Sequence, residues 1–267
     1  MASTHEIPPH LRQSLADWAE GFLVSYDPPG RYPNTRLLKK IERELALDHP
    51  LNWSDEFGSR AVEDCLGRFH TDDDFALRLV DVLLRQEAQR HEAESLQFIL
   101  DAPGSRWEVK LARYDEDENH LALRLAGPTP KALDHLAAGP AHDHLEQAWK
   151  EATDVDGDPS KAYREAVKAV EAAAKPLVTP NDPLATLGKI SGELKAHPEQ
   201  WEVTLRRDSV EELARRVDVL RRSQHDRHGT DEPTEPMTRD EAVAGCYLAT
   251  ELVGHFISGS IIQVDDL

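Results

Sequence analysis

Between its prolines this chain repeats apolar residues at intervals of three and four, a period that matches one face of an α-helix. Leu11, Leu15, Trp18, Phe22 and Leu23 follow Pro8 and Pro9 in this rhythm. Leu37, Leu38, Ile41 and Leu45 repeat it in a helix expected from Thr35 to Leu47. A third helix fits Ser59 to Phe69. A fourth fits "DDDFALRLVDVLLRQ", with the stripe Phe75, Leu79, Val82 and Leu83 and acidic residues at its start, where they suit the helix dipole. A helix that is apolar on one side must bury that side against another element. The expected fold class is therefore mainly α.

The period changes after "DAPGS". "RWEVKLARY" and "HLALRLAG" alternate apolar and polar residues, with "DEDEN" between them, which predicts a β-hairpin. "YDPPGRYPN" holds too much proline and glycine for any regular element. Helical spacing resumes near Pro130, with Leu133, Leu136, Leu145 and Trp149. "DVDGDPS" reads as a hinge. Its acidic spacing fails as a calcium loop, because Pro159 takes the glycine position and no glutamate closes it. Asp158 as N-cap and Pro159 as first helical residue fit better. Two domains are expected: 1-153, mainly helical with the hairpin, and 154-267, a helical bundle.

In the second domain a helix runs from Pro159 and stops at Pro176, with Ala162, Tyr163, Ala166, Val167 and Val170 as its stripe. A second carries Leu184, Leu187, Ile190 and Leu194. A third opens on the capping box that starts at Ser209, and a fourth on the one that starts at Thr238. "QWEVTLRRDS" echoes the earlier "RWEVKLARYD" and reads as an extended lead-in to the third helix. The tail "IIQVDDL" is a short strand or a frayed end.

The formal net charge is -19, from 50 acidic and 31 basic residues. A broad nucleic-acid-binding face is excluded, because phosphate binding draws on lysine and arginine. Any such function must be a small basic site on an acidic body. The two cysteines, Cys65 and Cys246, are far apart and read as buried, reduced thiols. The start lacks a basic segment followed by an apolar one, so no signal peptide is expected. The apolar runs fall short of the roughly 18 to 20 residues a membrane span needs. A soluble, cytoplasmic protein with no membrane partner is expected. His142 and His144, two apart, do not share a helix face, and no metal site is expected.

One stretch carries recognisable chemistry: "VLRRSQHDRHG". At about 100° per residue, Arg221 lies beside the stripe of Val210, Leu213, Val217 and Leu220, while Arg222 points away from it. An arginine fork donates two parallel hydrogen bonds to a phosphate. A histidine titrates near neutral pH and moves protons. Arg221 and His228 together suit the cleavage of RNA without metal or cofactor. The helix dipole alone also favours arginine and histidine at a helix C-terminus, so a purely structural role stays open. Lys189 and Lys195 are further cations whose distance from this stretch the spacing does not set.

"AYREAVKAVEAAAK", a short helix, "VLRRSQHDRHG" and a long last helix together resemble the HEPN superfamily, most closely the C-terminal domain of abortive-infection proteins. Leu220, Arg221, His228 and Gly229 match that family's L-R-N-x-x-x-x-x-H-G segment, and Glu171 matches the acidic residue of its first helix. Arg222 stands where the family often has asparagine. The resemblance covers about residues 155 to 260. It implies a HEPN-like helical bundle that forms a homodimer through the C-terminal domain, with two Arg/His pairs in a cleft. It implies a metal-independent endoribonuclease of an anti-phage or toxin-type system, in which the RNA 2′-hydroxyl is the nucleophile. Arg221 would hold the phosphate, His228 would transfer a proton, and Glu171 would orient or polarise the cleft. Arg222 and Arg227 are the expected RNA contacts. The alternative is a non-catalytic HEPN-type interaction or nucleotide-binding module.

Overall fold

The computed structural model describes residues 7-27, 30-112, 118-124, 138-204, 209-223 and 236-264. These are mainly helical, with three small two-stranded antiparallel sheets. The chain divides into two compact units, Met1–Leu125 with Asp154–Asp156, and Ala126–Thr153 with Gly157–Leu267. No helix among the described residues is long and apolar enough to cross a membrane.

In the first unit, α1 (Pro9–Leu23), α2 (Thr35–Glu44) and α3 (Ser59–Thr71) pack against α4 (Asp73–Gln86), and α5 (Arg90–Leu100) packs against α1. Helix α4 is buried on nearly every side: Phe75, Leu77, Leu79, Val80, Val82, Leu83 and Leu84 are all core residues. Asp72 caps it by accepting from Phe75 N at 3.1 Å. Helix α2 stops short of Leu47, because Ala46 takes a left-handed backbone at φ 46°.

"YDPPGRYPN" is not irregular. β1 (Val24–Asp27) pairs antiparallel with β2 (Gly30–Pro33). Positions 28 and 29 lie outside the described residues. Pro33 is tolerated because it closes its strand, opposite Val24, in a sheet that has only edges. The expected hairpin is present as β3 (Trp107–Lys110) and β4 (His120–Leu123). Trp107, Leu121 and Leu123 are buried in this unit.

In the second unit, α6 (Pro140–Thr153), α8 (Leu187–Ala196) and α10 (Arg239–Ile257) pack around α7 (Pro159–Val178). Helix α9 (Val210–Arg222) packs against α8 and α10. The expected boundary at residue 153 therefore does not describe the partition. Ala141, Leu145, Ala148, Trp149 and Ala152 put α6 into the core of the second unit. Trp149 also donates to Thr250 Oγ1 at 3.1 Å. Asp154–Asp156 belongs to the first unit, where Asp156 bonds Arg78 at 3.0 Å and Arg85 at 3.2 Å. The expected helix start near Pro130 lies outside the described residues.

Asp158 caps α7, accepting from Ser160 N at 2.8 Å and Lys161 N at 3.1 Å. The helix does not stop at Pro176 but runs to Val178. A proline in the last turn removes one amide bond, and Thr179 N still reaches Lys175 O at 3.0 Å. Leu184 lies before α8 rather than in it, and is 86% exposed. The lead-in "WEV" is β5 (Trp201–Val203), paired antiparallel with β6 (Ile261–Gln263) in the tail.

Helices α7 and α10 meet most closely at Gly245. A Cβ there would fall 2.5 Å from Tyr163 Cε2. Tyr163 has no freedom to retreat, since its buried hydroxyl donates to Leu220 O at 2.7 Å. A Cβ at Gly254, in the same helix, would meet nothing within 4 Å. Gly254→Ala should thus stabilise by about 0.5–1 kcal/mol through helix propensity. Gly245→Ala should destabilise by about 1–3 kcal/mol through overpacking. Thermal unfolding of the two variants checks this. Shifts of the same sign would show that the Tyr163 contact does not govern the packing.

Candidate functional site

Helix α9 carries the arginine pair at its C-terminal end. Ser209 caps the other end, its hydroxyl accepting from Glu212 N at 3.2 Å. Val210, Leu213, Val217 and Leu220 are buried, so the apolar stripe sets the rotation of the helix. The exposures of the arginines follow from that rotation. The Arg221 side chain is 31% exposed and that of Arg222 is 71% exposed.

Arg221 is held by what surrounds it. Its Nε donates to Asp218 Oδ1 at 3.2 Å, one turn back on α9. Its aliphatic stem lies over Gly188, where an added Cβ would be 3.4 Å from Arg221 Cδ. Its two terminal nitrogens donate to no described residue. Asp218 also receives the Lys195 ammonium from α8, and Arg222 Nη2 approaches it at 3.7 Å. The carboxylate itself is only 13% exposed, while the Lys195 side chain is 45% exposed. Burial pushes the Asp218 carboxyl up. Hydrogen bonds from Lys195, Ser191 and Arg221 outweigh that and hold it below its usual range.

That shift has a sign. A carboxyl depressed on folding contributes its full stability above its unfolded value and loses it as the pH falls toward the folded one. Asp218→Asn should therefore flatten the acid limb of the stability profile below about pH 4. An unchanged acid limb, followed by urea unfolding at several pH values, would remove Asp218 from this account.

Glu171 reaches the same end of α8 from α7. Its Oε1 accepts from Leu187 N at 2.9 Å, on the first residue of α8. Thr186 occupies the N-cap position but makes no side-chain cap, so the Glu171 carboxylate takes that task. Glu171 and Arg221, fifty positions apart in the chain, thus both rest against the first turn of α8. Arg227 and His228, with Gly229, lie outside the described residues.

Helical spacing pointed to Arg221 and the family resemblance to Glu171, but neither singled out Asp218 or Gly188 as part of the site. The signal for Asp218 was there: it stands three and four residues before Arg221 and Arg222, within ion-pair reach on a helix. Gly188 left no signal, because a close approach between helices has no local signature. The nearby arginines are ordinary surface pairs, Arg215 with Glu212 at 2.9 Å and Arg216 with Glu251 at 2.8 Å. His144 pairs with Glu165 at 2.7 Å. His255 Nε2 lies 3.5 Å from Glu251, and its buried Nδ1 has no hydrogen-bond partner among the described residues.

Burial pushes both cysteine thiols up to about 12. They stay protonated near neutral pH and are not nucleophiles. Among the described residues, no group of three or more histidine, cysteine, aspartate or glutamate side chains is placed to hold a metal ion. A groove of about 810 Å³ in the first unit is open and lined by Asn34, Arg36, Leu37, Lys40, Arg43, Glu44 and Glu87. Its mixed charges do not single out a ligand. No protein-family model, no curated protein and no solved structure matches this chain.

Proposed function

We propose that the second unit is a metal-independent endoribonuclease of the HEPN type, acting in the cytoplasm in an anti-phage abortive-infection or toxin-type system. The observation that supports this most is the state of Arg221. Its Nε is tied to Asp218, its side chain is 31% exposed, and among the described residues its terminal nitrogens have no acceptor. That is what holding a scissile phosphate needs.

In this reading the RNA 2′-oxygen attacks the adjacent phosphorus and the P–O5′ bond breaks. His228 takes the proton from the 2′-hydroxyl or delivers one to the departing O5′. A homodimer would bring two such pairs together, so that one histidine serves as base and the other as acid. Exposed Leu184 and Val219, 86% and 51% exposed, are apolar surface of this unit that a second copy would cover. Glu171 acts here through α8, keeping the turn under Arg221 in place. Arg222, turned outward, is suited to a neighbouring phosphate of the strand, and Arg227 is assigned the same task.

A second reading is a non-catalytic interaction or nucleotide-binding module. The observation in its favour is that Arg221 and Glu171 each already have a structural partner. Induced expression in a bacterial host separates the two, with growth and total RNA followed for the wild type, Arg221→Ala and His228→Ala, with and without phage challenge. Growth arrest with RNA fragmentation that both substitutions relieve is the expected result. Intact RNA and normal growth in every case, phage challenge included, would favour the binding module.

A further inference from the structure

The sequence left the distance of Lys195 from this stretch open; the structure brings its ammonium to the carboxylate that holds Arg221. Three cations, Lys195, Arg221 and Arg222, converge on the single acid Asp218. Among these four side chains the positive charges outnumber the negative by two, on a chain of net charge -19. The acid lies beneath, 13% exposed, and the cations reach outward, with Lys195 at 45% and Arg221 at 31%. A structural salt bridge alone would need one cation for one carboxylate.

We infer that Lys195 is a second phosphate-holding cation of the site, kept beside Arg221 by Asp218 as their shared counter-ion. This rests on the ribonuclease reading above and extends it. When the 2′-oxygen adds to phosphorus, the phosphate passes from one negative charge toward two, before P–O5′ breaks and O5′ takes a proton. One arginine matches the ground state. A second cation is worth more at the transition state, where the extra charge develops. The two cations also differ usefully: the planar Arg221 fork fixes orientation, and the Lys195 ammonium follows the charge as a point donor.

Asp218 is then a positioning residue with a distinctive signature. It holds the cations in place but also offsets their charge. Its neutral replacement should strengthen the pull on RNA while loosening the geometry.

The test uses the full chain and two single-stranded RNAs of one sequence, a 2′-O-methylated form that cannot be cleaved and the unmodified form. Binding of the first is read by fluorescence anisotropy over a range of salt concentrations, and cleavage of the second by gel. Lys195→Ala should lower the slope of log K against log salt by about 0.7, the share of one phosphate contact on a single strand. It should slow cleavage by about a hundredfold, and Lys195→Arg should restore both. Asp218→Asn should tighten binding and slow cleavage. Thermal unfolding confirms that each variant is folded. A slope unchanged in Lys195→Ala but lowered in Arg221→Ala would overturn the inference and leave the ribonuclease reading standing. A slope and a cleavage rate unchanged in Arg221→Ala would overturn both.

Discussion

Under the proposed mechanism, purified His228→Ala should cleave single-stranded RNA about 10²- to 10⁴-fold more slowly than the parent chain, the span that a positioned proton donor or acceptor supplies. Arg221→Ala should lose about 10²- to 10³-fold, as expected for removing a charged group aimed at a developing oxyanion. The two losses should not add, because the proposed mechanism has both residues act on one step. Arg221→Lys should behave nearly as badly as Arg221→Ala. A lysine here keeps the charge but loses both the fork and the Nε bond that Asp218 uses to aim it. Cleavage that persists in both alanine variants would mean that this stretch is not the active site.

Asp81→Ala should destabilise the first unit by about 3–5 kcal/mol, the usual cost of removing one member of a buried, hydrogen-bonded charge pair. Asp81 lies on α4 among the core residues and is fully buried. Its Oδ1 accepts from Leu121 N at 2.7 Å, on β4, and its Oδ2 takes the Arg85 guanidinium. Alanine would leave both donors without that acceptor. Arg85 would keep only Asp156 at 3.2 Å. Asp81→Asn retains an acceptor for Leu121 N and should cost less. Burial raises the Asp81 carboxyl above its usual range, against the hydrogen bonds from Leu121 and Arg85 that lower it. Because the folded value is the higher one, this residue favours folding more as the pH falls through it toward the unfolded value. Asp81→Asn should abolish that gain. A two-unit chain need not unfold in one step. The measurement is therefore urea unfolding combined with amide exchange at Leu121, whose protection should fall in Asp81→Ala. A loss of less than about 1 kcal/mol, with Leu121 still protected, would show that the pair is solvated rather than buried.

The sequence by itself determined most of the helices and some of their caps. Apolar spacing and capping chemistry are local properties, and Asp158, Ser209 and Thr238 cap where their spacing to the next stripe says they must. It also determined which arginine of the pair is half-buried, since rotation about α9 follows from Leu213, Val217 and Leu220. Only the tertiary structure decided what a stripe packs against. That is why α6 joined the second unit although a hinge-like "DVDGDPS" follows it. It is also why β5 found the tail strand β6, about sixty residues away. The same holds for the site. Glu171 at the first turn of α8, Arg221 over Gly188, and Lys195 on Asp218 are contacts between helices distant in sequence. Their pairing depends on how closely the backbones approach, and no local pattern encodes that distance.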